Sequence, residues 1–341
     1  AVNRLLAGGA DVAWTTESFT AGGEQHPAGT IVIEGGSDQV ETLAEDLGLT
    51  FTGLSQEPGV DLYALEAPTV GLYKSWDASM DEGWTRWLFN TYQVPHDTLH
   101  NADVRSRDLS QYDVIVLPHQ SADAIMNGHA EGTMPSEFVG GVGAEGTAAL
   151  EQYVREGGRI VAFDGATQYA IQQFGLPVED VTEGLSDTEF FIPGSLIRTS
   201  INTEHPLAYG MQEEVAASFQ RSRAFDPVRQ DYMGEGGRED VERAPAPPVE
   251  VVARYAEDDL LMSGWALGEK EHIGGEIAAA HVRHGDGSVV LFGFRPQFRG
   301  QPRATYKLVF NAIHGATTDG LPQVGNVPAD PFEDDVAVDE E

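Results

Sequence analysis

Gly146 to Gly175 reads GTAALEQYVREGGRIVAFDGATQYAIQQFG: a helical pattern, a glycine pair, a short apolar run, and a second helical pattern closed by glycine. Apolar residues at helical spacing that stop at Gly157–Gly158 and resume as IVAF are what a helix feeding a buried strand looks like, and Asp164–Gly165 supplies the turn into the next helix. The same rhythm extends upstream. TVGLYKSW (69–76) reads as a buried strand, and SMDEGWTRWLFNTYQ (79–93) as an amphipathic helix with Ser79 as N-cap and Glu82 completing a capping box. HDTLHNADV (96–104) is a second strand candidate, and YDVIVLPH (112–119) is an apolar run ending at Pro118, as in a parallel strand entering its carboxyl-end loop. This alternation predicts a doubly wound α/β sheet whose sites lie outside the carboxyl ends of its strands.

Three segments follow from the pattern: a small α/β unit over 1–66, the main domain over 67–316, and an acidic tail over 317–341, PADPFEDDVAVDEE at its end, that reads as disordered. In the first unit AVNRLLAGG and QVETLAEDLG read as helices, and DVAWTTESF, GTIVIEG and TFTGL as strands. The rhythm of the main domain breaks twice, at a Gly-rich loop over 119–146 and at a polar, Pro/Gly-rich excursion over 226–249. Beyond them VEVVARYA, LLMSGWAL, EIAAAHVRH and SVVLFGF read as strands, the last two joined by an Asp-Gly hairpin signal, and RATYKLVFNAIHG as the final helix. Pro302 suits its first turn, which would place Arg303 at the helix N-terminus.

The chain of 341 residues carries 55 acidic against 20 basic side chains, a formal charge of −35, and only three lysines. That field has the wrong sign for nucleic acid or an anionic membrane. Dense carboxylates with little lysine fit a protein adapted to high salt, where screening relieves their repulsion. Cysteine is absent, which excludes disulfides, thiolate metal sites and a cysteine nucleophile. No run of about 18 apolar residues exists to span a membrane. An opening in mid-helix pattern, AVNRLLAGG, reads as part of a longer or processed polypeptide.

The segment from TVGLY to NAIHG resembles the class I glutamine amidotransferase-like fold, a flavodoxin-like doubly wound sheet. Phrases such as SMDEGWTRW, NGHAEGTMP, LEQYVREGGRIVAFD, FFIPGSLIR, HPLAYGM and FGFRPQFRGQPRATYKLVFNAI are similar to the carboxy-terminal region of large bacterial zinc carboxypeptidase-like proteins, over most of residues 1–316. In amidotransferases a Gly-Ile-Cys-Leu-Gly-Met-Gln elbow carries the nucleophile, and Gln-Phe-His-Pro-Glu carries the base and its orienting acid. AFDGATQ occupies the first place, with Asp164 at the cysteine position and Gln168 at the final glutamine; GFRPQ occupies the second, with Arg295 at the histidine position and Gln297 at the glutamate position. A carboxylate cannot do thiolate chemistry and a guanidinium cannot accept a proton at neutral pH, so the resemblance implies a fold without its glutaminase. Asp164 and Arg295 are expected to pair across the old crevice.

What the resemblance implies is a non-catalytic accessory region of a metallopeptidase, with zinc held in a peptidase domain outside this chain, that domain and further copies of this chain as partners, and an extracellular or periplasmic location. None of the ten histidines is followed three residues later by glutamate, the zinc pattern of those peptidases. His281 and His284 fall on opposite faces of a predicted strand, which argues against a shared metal. Two other readings stand beside this one: a hydrolase using Asp164 with His119 or His129 from the long loop, and an oligomerisation or glycan-binding module. Arg299 and Arg303 are candidates to hold an acidic group, internal salt bridges being the simpler account. Trp76, Trp84 and Trp87 lie around the first strand and helix; Trp84 and Trp87, at helical spacing, read as core and interface anchors, with stacking on a sugar or peptide as the alternative.

Overall fold

The computed structural model describes residues 1–228 and 249–317. Its first unit has helices α1 (Val2–Ala7) and α2 (Ser37–Leu47) and an antiparallel sheet with β1 (Asp11–Thr15) between β4 (Ile31–Glu34) and β5 (Leu62–Leu65); β2 (Phe19–Ala21) and β3 (Glu24–His26) form a separate hairpin. TFTGL is irregular instead of a strand: Leu54 is 40% exposed, whereas Leu65 of β5 is buried against β1. Leu5, Val12, Trp14, Leu43 and Leu65 make a core too small to stand alone, and Tyr209 of the larger part closes it, edge-on to Trp14 at 6.1 Å.

The larger part is built on β6 (Val70–Tyr73), β7 (Asp97–Leu99), β8 (Val114–Leu117), β9 (Arg159–Phe163) and β17 (Gly287–Phe292), all parallel. Their spatial order, β7-β6-β8-β9-β17, is 2-1-3-4-5 in chain order, which is the flavodoxin-like arrangement. Every residue of β6 and β8 is buried, because helices cover both faces. α3 (Met80–Tyr92) and the final helix α9 (Tyr306–His314) contribute to the core on one face; α4 (Asn101–Ser106), α5 (Ala122–Met126), α6 (Gly143–Arg155) and α7 (Gly165–Phe174) contribute to the other.

Antiparallel strands widen the sheet. β16 (Ile277–His284) pairs with β17, and β14 (Val249–Tyr255), β11 (Ser195–Ile201) and β12 (Glu214–Phe219) follow in order; β10 (Val178–Asp180), β13 (Phe225–Pro227) and β15 (Leu261–Ser263) pair at its margins, and α8 (Glu269–Ile273) precedes β16. In the β16–β17 hairpin, His284 pairs with Gly287, so Gly285 and Asp286 are the central pair, and Gly285 supplies the positive φ of +69°.

Several sequence expectations change. Only Asp97–Leu99 of HDTLHNADV is strand; Asn101–Ser106 turns into α4 because Asp103 accepts the His100 N–H and completes a capping box. At α3 only half of the expected box forms: Ser79 Oγ accepts the Glu82 N–H, while the Glu82 carboxylate goes to Arg86. LLMSGWAL is strand only over β15. The long loop holds α5 and is pinned by a bridge between His129 and Gly140. Arg303 lies in a 3₁₀ turn, Arg303–Thr305, one turn before α9. Most of the 226–249 excursion and nearly all of the tail lie outside the described residues.

Candidate functional site

The turn from β9 into α7 is strained. Asp164 sits at φ +48°, ψ −117°, a conformation that L-residues avoid and that nucleophile elbows adopt to present a side chain at the carboxyl edge of a sheet. Its N–H is held by the Phe292 carbonyl at 2.7 Å, and Gly165 follows because a Cβ there would stand 2.8 Å from the Gln120 carbonyl oxygen. Tertiary pairing thus holds the elbow in place with an aspartate at its apex.

Arg295 crosses the crevice from the loop after β17. Its Nε donates to Asp164 Oδ2 at 2.6 Å, its Nη1 to Asp81 Oδ2 at 3.3 Å, and its Nη2 faces His119 Nε2 at 2.9 Å. The expected Asp164–Arg295 pair is present, and Asp81 and His119 complete it as a cluster. Ser222 Oγ donates to the same Asp164 oxygen at 3.2 Å. Asp164 is fully buried and Asp81 is 3% exposed. Burial pushes the Asp81 carboxyl up to about 6; Arg295 and His119 oppose this and Asp164 adds to it.

His119 has no lone pair free for catalysis. Its Nδ1 lies 3.0 Å from the Gly165 N–H and 3.3 Å from Asp164 Oδ2, and its Nε2 meets a guanidinium that only donates. A neutral ring has one bare nitrogen, and in either tautomer that nitrogen already faces a donor. A general base needs the opposite arrangement. Nor can Asp164 attack a substrate while its carboxylate is enclosed and bound to Arg295 and Ser222.

The other predicted residues scatter. His129 is bonded through Nε2 to the Trp76 carbonyl at 3.2 Å, away from the elbow carboxylate's partners. Gln168 is half-buried on α7 with no side-chain hydrogen bond among the described residues. Gln297 is fully buried and donates to Thr85 Oγ1 at 2.9 Å, anchoring the loop on α3; it does not orient Arg295. Arg299 and Arg303 are exposed and make no ion pair among the described residues, against the expectation of internal salt bridges; Arg299 lies 5.0 Å over the Phe298 ring. Trp84 meets Phe298 edge-on at 4.9 Å, as an anchor does, but Trp87 is 47% exposed. Asp81 and Ser222 were invisible as site residues in the sequence: the first reads as a helix-start acid, the second as a turn serine.

A second polar cluster lies within the sheet. His205 Nε2 and His281 Nδ1 both approach Glu250 Oε2, at 2.9 and 3.1 Å, a set of metal-ligand type among the described residues. The proton positions account for it without an ion. His205 Nδ1 accepts the Leu207 N–H at 3.1 Å, which leaves the proton of the neutral ring on Nε2, facing Glu250. Burial pushes Glu250 up, but the two imidazole donors outweigh it and hold the carboxyl below its ordinary value; burial pushes His281 down to about 4. His284, on the opposite face of β16, pairs with Glu151 at 3.5 Å.

No protein-family profile and no curated protein matches the chain. Among solved structures, a protein assigned as a GMP synthase subunit from Thermoplasma acidophilum aligns at TM-score 0.43 and 11% identity, over 74% of this chain and 94% of that one. A ThuA-like protein from Bacteroides uniformis aligns at 0.43 and 13%, over 77% and 95%. A β-galactosidase from Bacillus circulans sp. alkalophilus aligns at 0.44 and 11%, over 75% of this chain and 32% of that one. Scores of this size add nothing to the strand order, and it is the 2-1-3-4-5 order, with its strained elbow after the fourth strand, that makes this a flavodoxin-like α/β fold.

Proposed function

We propose that this chain is a non-catalytic accessory region built on an amidotransferase-like fold, serving a zinc carboxypeptidase-like peptidase domain through packing, oligomer contacts or substrate positioning. One observation carries the first half: the residue at the elbow is a fully buried carboxylate tied to Arg295 at 2.6 Å, so the fold keeps the presentation and has lost the reactive group. The second half rests on the resemblance of phrases such as LEQYVREGGRIVAFD and FGFRPQFRGQPRATYK, and the extracellular or periplasmic location goes with it. Zinc, in this reading, belongs to the peptidase domain.

Glutamine, peptide and ester hydrolysis, measured for the parent chain and Asp164→Asn, tests the first half. Background rates in both support it; a parent rate that Asp164→Asn abolishes overturns it in favour of a hydrolase. Light-scattering mass of a mixture with a zinc carboxypeptidase-like domain tests the second, which fails if the two do not associate. A further reading, an oligomerisation or glycan-binding module, is favoured by α3, where Met80 is 72% and Trp87 47% exposed on one side of the helix. Self-association lost in Trp87→Ser would select it.

A further inference from the structure

The geometry points to a binding site for a small carboxylate at the switch point of the sheet, in the cavity between the loops that follow β6 and β8. These strands are neighbours, but the sheet continues from β6 to β7 on one side and from β8 to β9 on the other. Their crossover connections therefore diverge, and a gap opens where ligands settle in sheets of this order. The gap is a cavity of about 270 Å³, roughly nine water molecules of liquid volume, lined by Lys74, Ser75 and Trp76 from one loop, Pro118 and Gln120 from the other, and Glu82 of α3.

Its walls are pre-organised. Trp76 stacks on His100 at 4.0 Å and 6°, and His100 Nδ1 is bonded to the Lys74 carbonyl at 2.8 Å. Gln120 Nε2 donates to the Asp77 carbonyl at 3.0 Å, and Ser79 Oγ to the His119 carbonyl at 3.0 Å, so the two loops are tied together.

Charge selects the ligand. Of the three lysines, Lys270 pairs with Asp258 and Lys307 donates to the Gly210 carbonyl, whereas Lys74 has no acceptor among the described residues. Of the cations without a carboxylate there, Lys74 is the one that lines this cavity. Glu82 does not neutralise it, since Arg86 already holds that carboxylate through Nε at 2.8 Å and through Nη2; Asp77 is not part of the lining. A lysine without an acceptor among the described residues, lining the same cavity as Trp76 in a chain with 55 acids, suits an anion with an apolar body. One ammonium matches one carboxylate; a phosphate site would gather several N–H donors, and this lining has no glycine-rich turn to supply them. The site stands whether or not the elbow is inert.

The test titrates the chain with benzoate and N-acetylalanine, each beside its uncharged amide, at constant ionic strength, by calorimetry and tryptophan fluorescence. The acids should bind saturably and the amides about tenfold more weakly or not at all; Lys74→Met should weaken the acids about tenfold, and Lys74→Arg should restore most of that. Matching thermal melts show that the variants fold. Absence of saturable binding to the parent chain, equal binding to Lys74→Met, or tighter binding of inorganic phosphate than of the acids would each overturn the proposal.

Discussion

Arg295→Leu removes the cation that Asp164 and Asp81 share, at 2.6 and 3.3 Å, and leaves two buried carboxylates facing each other. Neutralisation caps the cost. Holding an aspartate protonated at pH 7, against an ordinary value of about 3.9, costs about 4 kcal/mol. Asp81, already raised to about 6, bears about 3 kcal/mol of that in the parent protein, so losing Arg295 adds at most about 1 kcal/mol at this group. Asp164, fully buried against the same guanidinium, is left without its partner, giving an expected destabilisation of about 3–5 kcal/mol, the range found when one partner of a buried pair is deleted. At pH 5 the same neutralisation costs only about 1.5 kcal/mol per carboxyl, so the loss should shrink to about 1–2 kcal/mol. Urea unfolding of parent and variant at both pH values, followed by circular dichroism, measures it. A loss below about 1 kcal/mol at pH 7, or one that is the same at pH 5, would refute the view that Arg295 acts by compensating buried charge. Adding Asp164→Asn to Arg295→Leu should recover most of the stability.

Three further outcomes follow from the same structure. His281 is pushed by burial from 6.5 to about 4, so the unfolded chain binds its proton first, and up to about 3 kcal/mol of stability present above pH 6.5 is lost as pH falls toward 4. Asp81 acts with the opposite sign over a similar range, so His281→Gln is compared with the parent at each pH; an unchanged acid slope in denaturant unfolding would exclude this origin. Gly165→Ala should cost about 1–3 kcal/mol, because its Cβ would meet the Gln120 carbonyl oxygen at 2.8 Å and backbone cannot step aside cheaply; a loss under about 0.5 kcal/mol would mean that the elbow relaxes. With a formal charge of −35, the melting temperature should rise from low to molar salt as repulsion is screened, and a flat response would count against adaptation to high salt.

Local pattern made much of the sheet legible. The runs VGLY, VIVL and IVAF are continuous apolar strands because parallel strands are covered on both faces, and Ser79, Gly48 and Gly175 mark helix ends through bonds and dihedrals confined to a few residues. Short or partly exposed segments misread, as TFTGL and the end of HDTLHNADV did, where one cap or one packing partner outweighs propensity. By itself the sequence determined the helix–strand alternation, the absence of cysteine, and the acidic balance of charge. Only the tertiary structure decided that Arg295 answers to two carboxylates and a histidine, that His205, Glu250 and His281 converge, and that Lys74 lines a cavity. Those partners are separated by tens to hundreds of residues in the chain, and an ion pair depends on distance and burial in space, which no local spacing encodes.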